Sequence, residues 1–442
     1  MVTATGPTPG QDTNPGRQHG WRRALDREDL HRYLTTLEGW REFTTQDPAP
    51  ADLLTENQLT DLDDDGRLDY DDVRLDYHTR LTVAATSTLR TVVHAGRRLT
   101  LLDRHAISAR RGLILSGAAG TGKTTALTQF GKTIEVIDRR QHPGVDRIPV
   151  GYVTVPPAAT SRMLAVEFAR FLGLPVTTRA NITDVIEAVC GVLIDARVSV
   201  VCVDELHNLS LATRNGAEVS DTLKYFSERI PATFVYAGVD LEANGLFNGT
   251  RGRQIAGRFA VIDTIPFPRT AEWTGLVSTF EEALRLHHHQ HKTLEGLAHY
   301  LHQRTGGMIG SLSHLIRGAA IDAILDGTEK ITRKFAGTRQ TRPRRPDPHD
   351  QIGFMTTSVD DGDRLRPLPA RPRPKSGEST DSYIRRLARA NHLKPSYLRG
   401  YLAGTRLRLR NSPTRRPARR SDRTSARRAR TGTARPRRKE IG

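Results

Sequence analysis

The sequence predicts an α/β fold in which a parallel β-sheet is sandwiched by helices and carries a phosphate-binding loop. Residues 117–124 read GAAGTGKT, which fits the pattern G-x-x-x-x-G-K-[ST] directly after a short apolar run. A second apolar run, 198–203, ends in Asp204 and Glu205. Between residues 106 and 270, short apolar segments alternate with helical patterns, which is typical of a parallel sheet covered on both faces.

The periodicity of apolar residues places both motifs within this fold. Strands are expected at 112–116, 148–155, 198–203, 233–237 and 261–265. Helices are expected between them at 123–131, 161–172, 182–196 and 220–229. Beyond residue 268 the strand signals stop, and helical patterns at 272–286, 293–304 and 309–325 predict a small helical lid.

The remaining segments differ in composition from this central part. The first 20 residues are rich in Gly, Pro and Thr, and we expect them to be disordered. Loops are expected near 48–50 and 61–66 within a helical N-terminal region. The expected division is 1–20 disordered, 21–105 helical N-terminal region, 106–270 phosphate-loop domain, 271–332 lid, 333–376 linker, 377–405 helical segment and 406–442 basic tail.

The positive charge of the chain is concentrated at its C-terminal end. The net charge is +18, and residues 406–442 contain 14 Arg and one Lys against Asp422 and Glu440, a local net charge of +13. One interpretation is a solvated tail without a partner. The density of arginine favours an arm that binds a polyanion, and DNA is the partner we expect.

The composition also limits the compartment in which the protein works. No apolar run approaches the roughly 20 residues that a membrane span needs, and residues 1–7 do not have the pattern of a secretory signal. Cys190 and Cys202 both lie in apolar patterns, so we expect small buried hydrophobic residues in a reducing cytosol. The expectation is a cytoplasmic protein with no membrane partner.

The phosphate-loop residues predict binding of ATP. Glycines at 117, 120 and 122 allow the backbone to approach a phosphate chain closely, and the following helix adds positive potential at its N-terminus. Lys123 would contact the β- and γ-phosphates, and the hydroxyl of Thr124 would bind Mg²⁺. The expected nucleotide-binding residues are Gly117, Ala118, Ala119, Gly120, Thr121, Gly122, Lys123, Thr124 and Thr125.

The acidic pair at the end of the second apolar run supplies the remaining chemistry. Asp204 would lie at the carboxyl end of a buried strand, where it can hold Mg²⁺ together with Thr124. Glu205 would orient or deprotonate the attacking water and is the expected catalytic base. A helicase with an Asp-Glu-x-His box would need a second nucleotide-fold domain, and too few strand signals follow residue 270.

These segments resemble the TniB/TnsC-type AAA+ transposition ATPases over roughly residues 60–325. The resemblance rests on the phosphate loop, on Asp-Glu-Leu-His-Asn at 204–208, on Gly-Arg-Phe at 257–259 and on the lid segment 305–316. It implies an ATPase that assembles on DNA as a homo-oligomer with little sequence preference. It also implies selection of target sites and activation of a partner transposase of the integrase type.

The resemblance also points to residues that would sense the γ-phosphate. Such ATPases use a polar residue after the fourth strand, and Asp240 is the candidate here. They also use an arginine from the neighbouring subunit, for which Arg258 is the preferred catalytic candidate and Arg253 the second, with Arg251 nearby. An ordinary surface arginine is the alternative for each. The lid helix carries Arg317, but no arginine lies at the glycine turn 306–310.

A second resemblance concerns residues 377–402, which look like the start of a TniQ-type protein. Ser379 or Asp381 would cap a helix with an apolar face, and a turn at 392–395 would lead to a short helix at 396–402. The zinc-binding cysteines of TniQ proteins are missing, so no metal is assigned. A TniQ-type protein is a further expected partner. From the residues alone, the segment is interpreted either as a docking helix or as half of a helix-turn-helix.

Two other stretches carry metal-ligand residue types. Residues 61–72 have carboxylates at the spacing of a calcium loop, but position 12 is Asp72 rather than Glu, and an acidic surface turn is the expected structure. Residues 287–291 read HHHQH between two lid helices, where adjacent side chains cannot all face one point. We expect an exposed polar turn there.

The sequence therefore favours an ATPase that uses ATP and Mg²⁺ to regulate DNA transposition. One alternative is a nucleotide-gated regulatory ATPase that acts on a protein partner. Another is the ATPase of a partly degraded mobile element.

Overall fold

The computed structural model describes residues 33–46, 50–80, 82–177, 180–209, 214–242, 257–333 and 367–411, with the side chains of 214–217 and 404–411 left out. The disordered segment expected at 1–20, most of the linker and of the basic tail, Arg251 and Arg253 lie outside the described residues.

The centre of the molecule is a five-stranded parallel sheet with the order β2-β3-β4-β1-β5. The strands are β1 Gly112–Gly117, β2 Val150–Thr154, β3 Val200–Asp204, β4 Thr233–Val239 and β5 Phe259–Asp263. Each overlaps a segment in which the apolar runs predicted a strand, although β5 begins and ends two residues before the expected 261–265. The fold class expected from the sequence, an α/β fold with a parallel sheet sandwiched by helices and a small helical lid, is confirmed.

Helices cover both faces of this sheet. Four further helices precede β1 in the sequence and form the N-terminal region. In the N-terminal region they are α1 Leu37–Thr45, α2 Glu56–Thr60, α3 Asp64–Thr79 and α4 Ser87–Asp103. Within the sheet domain they are α5 Lys123–Gln141, α6 Ser161–Phe171, α7 Ile182–Asp195 and α8 Arg214–Arg229. Helix α5 is ten residues longer than expected because its buried face continues to Ile134 and Glu135.

The expectation that all strands are covered on both faces is wrong for β5. Ala260, Val261 and Asp263 are exposed among the described residues. The physical reason is position, because β5 lies at the sheet edge and pairs only with β1 in the described part of the chain. Cys190 and Cys202, in contrast, are buried in the core as expected, and burial raises the pKa of the Cys190 thiol to about 12.

The lid forms a separate hydrophobic core around Trp273. Its helices are α9 Ala271–Glu282, α10 Thr293–Gly296, α11 Ala298–Thr305 and α12 Ile309–Leu325. The single helix expected at 293–304 is wrong, because the backbone of Leu297 leaves the helical conformation and separates α10 from α11. Among the described residues no single helix could span a membrane, although the bent pair α11 and α12 passes on length and composition alone.

The two stretches with metal-ligand residue types are both part of the packing. The loop expected at 61–66 is wrong from residue 64 onward, because the Asp63 side chain accepts a hydrogen bond from Gly66 N and starts α3. In the histidine stretch, His289 is buried against Glu281, with 3.0 Å between Nε2 and Oε1, so the exposed turn expected there is wrong at this residue. In the described part of the chain no group of three His, Cys, Asp or Glu side chains could hold a metal.

The C-terminal segment packs against the sheet domain. It contains α13 Thr380–Ala390, capped by Ser379, and α14 Pro395–Asn411, which runs past the expected start of the tail at 406. His392 Nε2 lies 2.7 Å from Asp195 Oδ2, and Lys394 Nζ donates to Asp184 Oδ2 at 2.7 Å. The Tyr397 hydroxyl donates to Pro175 O. A cavity of about 230 Å³ lies between the two parts.

Candidate nucleotide-binding site

The phosphate loop connects β1 to α5 at the carboxyl edge of the sheet. Gly117 ends β1 with a φ of +143°, and a Cβ at this position would lie 2.0 Å from Thr264 O. Only glycine fits so close to that carbonyl. The loop ends at Lys123, the first residue of α5, so the N-terminus of a 19-residue helix faces the loop. The strand–loop–helix context that the motif requires is present.

Lys123 is held against its own loop. Its Nζ donates to Gly117 O and Ala118 O at 2.7 Å each, and the residue is 8% exposed. Burial lowers the pKa of Lys123, while the nearby carboxylates of Asp204, Asp240 and Glu205 act in the opposite direction. The buried amine of Lys123 therefore lies among three acidic groups.

Asp204 ends β3 and is almost completely buried, with 3% of its surface exposed. The Tyr152 hydroxyl donates to Asp204 Oδ2 at 3.1 Å, and Glu205 N donates to Oδ1 at 2.8 Å. The carboxylate is thus held at both oxygens at the carboxyl end of the sheet. Asp204 could be identified from the sequence, whereas Tyr152 could not, because the sequence contains no motif for it.

Glu205 turns the chain away from the sheet. It has a left-handed backbone with a φ of 58°, and its side chain is 43% exposed, so it points outward while Asp204 stays buried. Its Oε2 lies 3.3 Å from His207 Nε2, and Val239 N donates to His207 Nδ1. Burial and the neighbouring Asp204 raise the pKa of Glu205. A raised pKa suits a group that accepts a proton near neutral pH.

The oxygen donors at this edge fit Mg²⁺ bound to a nucleotide. Asp204 offers a carboxylate, and Thr124 offers an exposed hydroxyl in the first turn of α5. Mg²⁺ prefers such hard oxygen ligands and is usually bound by one or two protein groups together with substrate phosphates. A phosphate loop, a buried lysine and this donor set therefore form a candidate site for Mg²⁺-ATP.

Residues 90–268 match the family described as bacterial TniB protein. This TniB segment includes the phosphate loop, the acidic pair and β5, so the resemblance inferred from the motifs is confirmed over these residues. No curated protein sequence matches the chain.

Several solved structures are similar to part of the chain. The Aeropyrum pernix ORC1 protein in complex with DNA is 18% identical with a TM-score of 0.45, covering 57% of this chain and 63% of that one. The A. pernix ORC2 protein in its ADPNP-ADP complexes is 13% identical with a TM-score of 0.47, covering 73% and 94%. Cdc6p from Pyrobaculum aerophilum is 15% identical with a TM-score of 0.42, covering 58% and 67%. The chain spans only 63% of the ORC1 chain.

Within the TniB segment, Thr264 joins the end of β5 to the phosphate loop. Its Oγ1 lies 2.7 Å from Thr121 Oγ1 and donates to Ser116 O at 3.0 Å. The lid also touches the loop, because Gly310 N donates to Gly120 O at 3.0 Å. These contacts were missed by sequence analysis, which has no signal for pairings over more than 140 residues. They connect the phosphate loop to the end of β5 and to the lid.

Asp240 and Arg317 occupy different places. Asp240 N donates to Gly117 O at 3.2 Å, so the residue lies beside the phosphate loop as a γ-phosphate sensor would. Arg317 instead donates from Nε to His78 O at 2.9 Å and also bonds Thr79 O at the end of α3. Its contacts join the lid to the N-terminal region, away from the phosphate loop.

Arg258 lies at the opposite edge of the sheet from the phosphate loop. Its carbonyl accepts a hydrogen bond from Gly112 N at the start of β1, and its Nη1 is 3.5 Å from Glu228 Oε1. The length of β1, roughly 17 Å at 3.3 Å per residue, separates this position from Gly117. Arg258 borders a surface pocket of about 300 Å³ that Arg110 and Arg111 also line. It does not contact the nucleotide site of its own chain.

Proposed function

We propose that the protein is an ATP-dependent regulator of DNA transposition that selects target sites and activates a transposase. The observation that carries this proposal is the coincidence of the phosphate-loop site with the TniB match at 90–268. The coarser conclusion, an ATPase of the P-loop AAA+ fold, rests on the same site and on the sheet topology.

Each residue of the site has a distinct role in this proposal. Lys123 exchanges its bonds with Gly117 O and Ala118 O for the phosphate oxygens of ATP. Thr124 and Asp204 would hold Mg²⁺, and the bound ion would supply positive charge to neutralise the phosphates of ATP. Glu205 projects outward from the turn after β3 and orients a water molecule for attack, taking its proton.

The position of Arg258 supports a site that is completed between subunits. An arginine that lies about one strand length from its own phosphate loop can serve only the loop of another copy. A head-to-tail arrangement of copies would bring it there, and such interfaces generate rings or filaments. The proposal is therefore a homo-oligomer that forms on DNA in the presence of ATP.

The charge distribution supports DNA as the polyanion. The tail from residue 406 carries a local net charge of +13, which would give sequence-independent and salt-sensitive affinity. An integrase-type transposase and a TniQ-type protein are proposed as protein partners, and the cytoplasm as the compartment. These partners follow from the resemblance of the sequence to transposition ATPases and of residues 377–402 to TniQ.

Binding of the full chain to random-sequence DNA tests the proposal. We expect ATP to increase DNA binding, Lys123→Ala to abolish ATP binding, and Glu205→Gln to bind ATP but remain assembled on DNA. Hydrolysis of ATP by Glu205→Gln should fall at least 100-fold because the catalytic base is lost. Normal hydrolysis by this variant would show that Glu205 is not the base. ATP-dependent binding to a protein with no effect of DNA would favour the regulatory alternative.

A further inference from the structure

The side chain of Tyr152 connects the acidic end of β3 to the neighbouring strand. Tyr152 of β2 pairs with Cys202 of β3, and Thr154 pairs with Asp204, two residues further along. Side chains two residues apart on a strand share a face, so Tyr152 and Asp204 lie on the same side of the sheet. Their bond from the hydroxyl to Oδ2 is 3.1 Å long, and Tyr152 is 4% exposed.

This bond leaves the carboxylate with a single orientation. Glu205 N already donates to Oδ1 at 2.8 Å, so Tyr152 supplies the second donor on the other oxygen. Each carboxylate oxygen keeps a further acceptor site for a metal ion or a metal-bound water. Hydrogen bonds of this kind orient metal-binding carboxylates and raise metal affinity.

Helix α1 packs against the ring of Tyr152 through Trp40. Trp40 stacks on this ring with 5.4 Å between centroids and 10° between planes. Trp40 is fully buried, and its Nε1 donates to Glu135 Oε1 at 3.0 Å. Glu135 belongs to α5, the same helix that begins with Lys123 and Thr124. The N-terminal region thus contacts both Tyr152 and the helix that begins with Lys123 and Thr124.

We propose that Tyr152 is a positioning residue that sets the Mg²⁺ affinity of Asp204 and is itself held in place by Trp40. This inference rests on the proposed function, since it assumes that the site takes Mg²⁺-ATP. It goes beyond that function by assigning a role to a tyrosine on β2 and to helix α1.

The test compares nucleotide binding with and without the metal in full-length Tyr152→Phe. This substitution removes one oxygen and keeps the ring that Trp40 packs against. We expect its affinity for ATP in excess EDTA to stay within twofold of the wild type. With Mg²⁺, the gain in ATP affinity should be about tenfold smaller than in the wild type. Calorimetry measures both affinities, and the spectrum of bound Mn²⁺ reports the metal directly.

Two further variants separate positioning from general stability. Tyr236→Phe removes a buried hydroxyl from β4, where Tyr236 pairs with Val203 and so lies on the opposite face of the sheet. This control should keep the full Mg²⁺ effect. In an Asp204→Asn background, Tyr152→Phe should have no additional effect on Mg²⁺ dependence, because the carboxylate it positions is gone.

The outcomes distinguish this inference from the proposed function. An unchanged Mg²⁺ effect in Tyr152→Phe, or an equal loss of affinity with and without Mg²⁺, overturns the positioning role alone. Absence of any ATP binding by the wild type overturns the proposed function and this inference together. If Tyr152→Phe does not fold, Trp40→Phe provides the second measurement. Trp40→Phe should reduce the gain in ATP affinity caused by Mg²⁺ several-fold. A gain equal to that of the wild type would contradict the proposal.

Discussion

Arg74 of α3 and Glu329 at the end of the lid form a buried ion pair with two contacts. Arg74 donates from Nη1 to Glu329 Oε2 at 2.8 Å and from Nη2 to Oε1 at 2.7 Å. The arginine side chain is fully buried and that of the glutamate is 4% exposed. Burial would raise the pKa of Glu329, but the bonds with Arg74 outweigh it and the pKa is lowered. The pair fixes the lid to the N-terminal region.

Removal of one partner of this pair should be more harmful than removal of both. Among the described residues, Glu329→Leu leaves the buried guanidinium of Arg74 with Asp71 as its remaining acidic partner. We expect a loss of about 3 kcal/mol in unfolding free energy. The double variant Arg74→Met/Glu329→Leu should lose less stability than Glu329→Leu alone. Urea unfolding followed through Trp273, which lies in the lid core, measures this. Additive losses would show that the two charges are not coupled.

The lowered pKa of the buried His78 side chain predicts that the contact between the lid and the N-terminal region weakens in acid. Burial lowers its pKa from 6.5 to about 4, and Arg74, Arg285 and Arg317 act in the same direction. Because the folded pKa is below the unfolded one, the unfolded state binds more protons between these values. Stability is therefore highest above pH 6.5 and falls as the pH drops toward 4, by up to about 3 kcal/mol from this histidine.

The variant His78→Gln isolates this contribution. His78 Nε2 accepts a hydrogen bond from Arg285 N, and the glutamine Oε1 can accept it without titrating. We expect the unfolding free energy of this variant to change less between pH 7 and pH 4.5 than that of the wild type. The pKa of His287 is also lowered by burial, so part of the acid sensitivity remains. An identical pH profile for both proteins would contradict the assignment.

The central sheet could be predicted from the sequence because its signals are local. The five apolar runs lie between turn residues, and the motif at 117–124 places glycines where the backbone must bend. Lys123, Thr124, Asp204 and Glu205 all lie at the carboxyl edge, as the pattern required. Local signals thus determined the position of the main chemical groups.

The missed features depend on contacts between distant parts of the chain. Tyr152 could not be identified because its role comes from the register between β2 and β3. Thr264 could not be identified because it reaches the phosphate loop from the end of β5, a distant part of the sequence. The histidine stretch was misread because His289 finds a buried partner in Glu281 only after the lid folds. A residue pattern contains no information about such packing.

Gly191 should control the docking of the C-terminal segment. A Cβ at this position would lie 2.4 Å from Cγ of His392, so Gly191→Ala must displace the turn between α13 and α14. Alanine favours the interior of α7 by up to about 1 kcal/mol, so the sheet domain should not lose stability. We expect faster hydrogen exchange at 380–403 and at the contact with Asp195.

The matched control for Gly191 is Gly275→Ala in lid helix α9. A Cβ at Gly275 meets no atom within 4 Å, so this variant should leave exchange in the C-terminal segment unchanged. Unchanged exchange in Gly191→Ala would mean that the segment does not rest on α7 in solution.

Arg258 should act on the nucleotide of a neighbouring copy. Arg258→Ala should bind ATP normally and hydrolyse it at least 1000-fold more slowly, the loss typical of a missing arginine finger. Arg170→Ala is the control, because Arg170 is another exposed arginine paired with one carboxylate, Glu167. This variant should hydrolyse ATP normally.

Mixing Arg258→Ala with Lys123→Ala provides the decisive measurement. The Arg258→Ala subunit binds ATP, and the Lys123→Ala subunit contributes the arginine. In a head-to-tail assembly of an equal mixture, roughly one interface in four pairs this intact phosphate loop with this intact arginine and should regain activity. An inactive mixture of subunits that still assemble would exclude Arg258 as the residue that acts between copies.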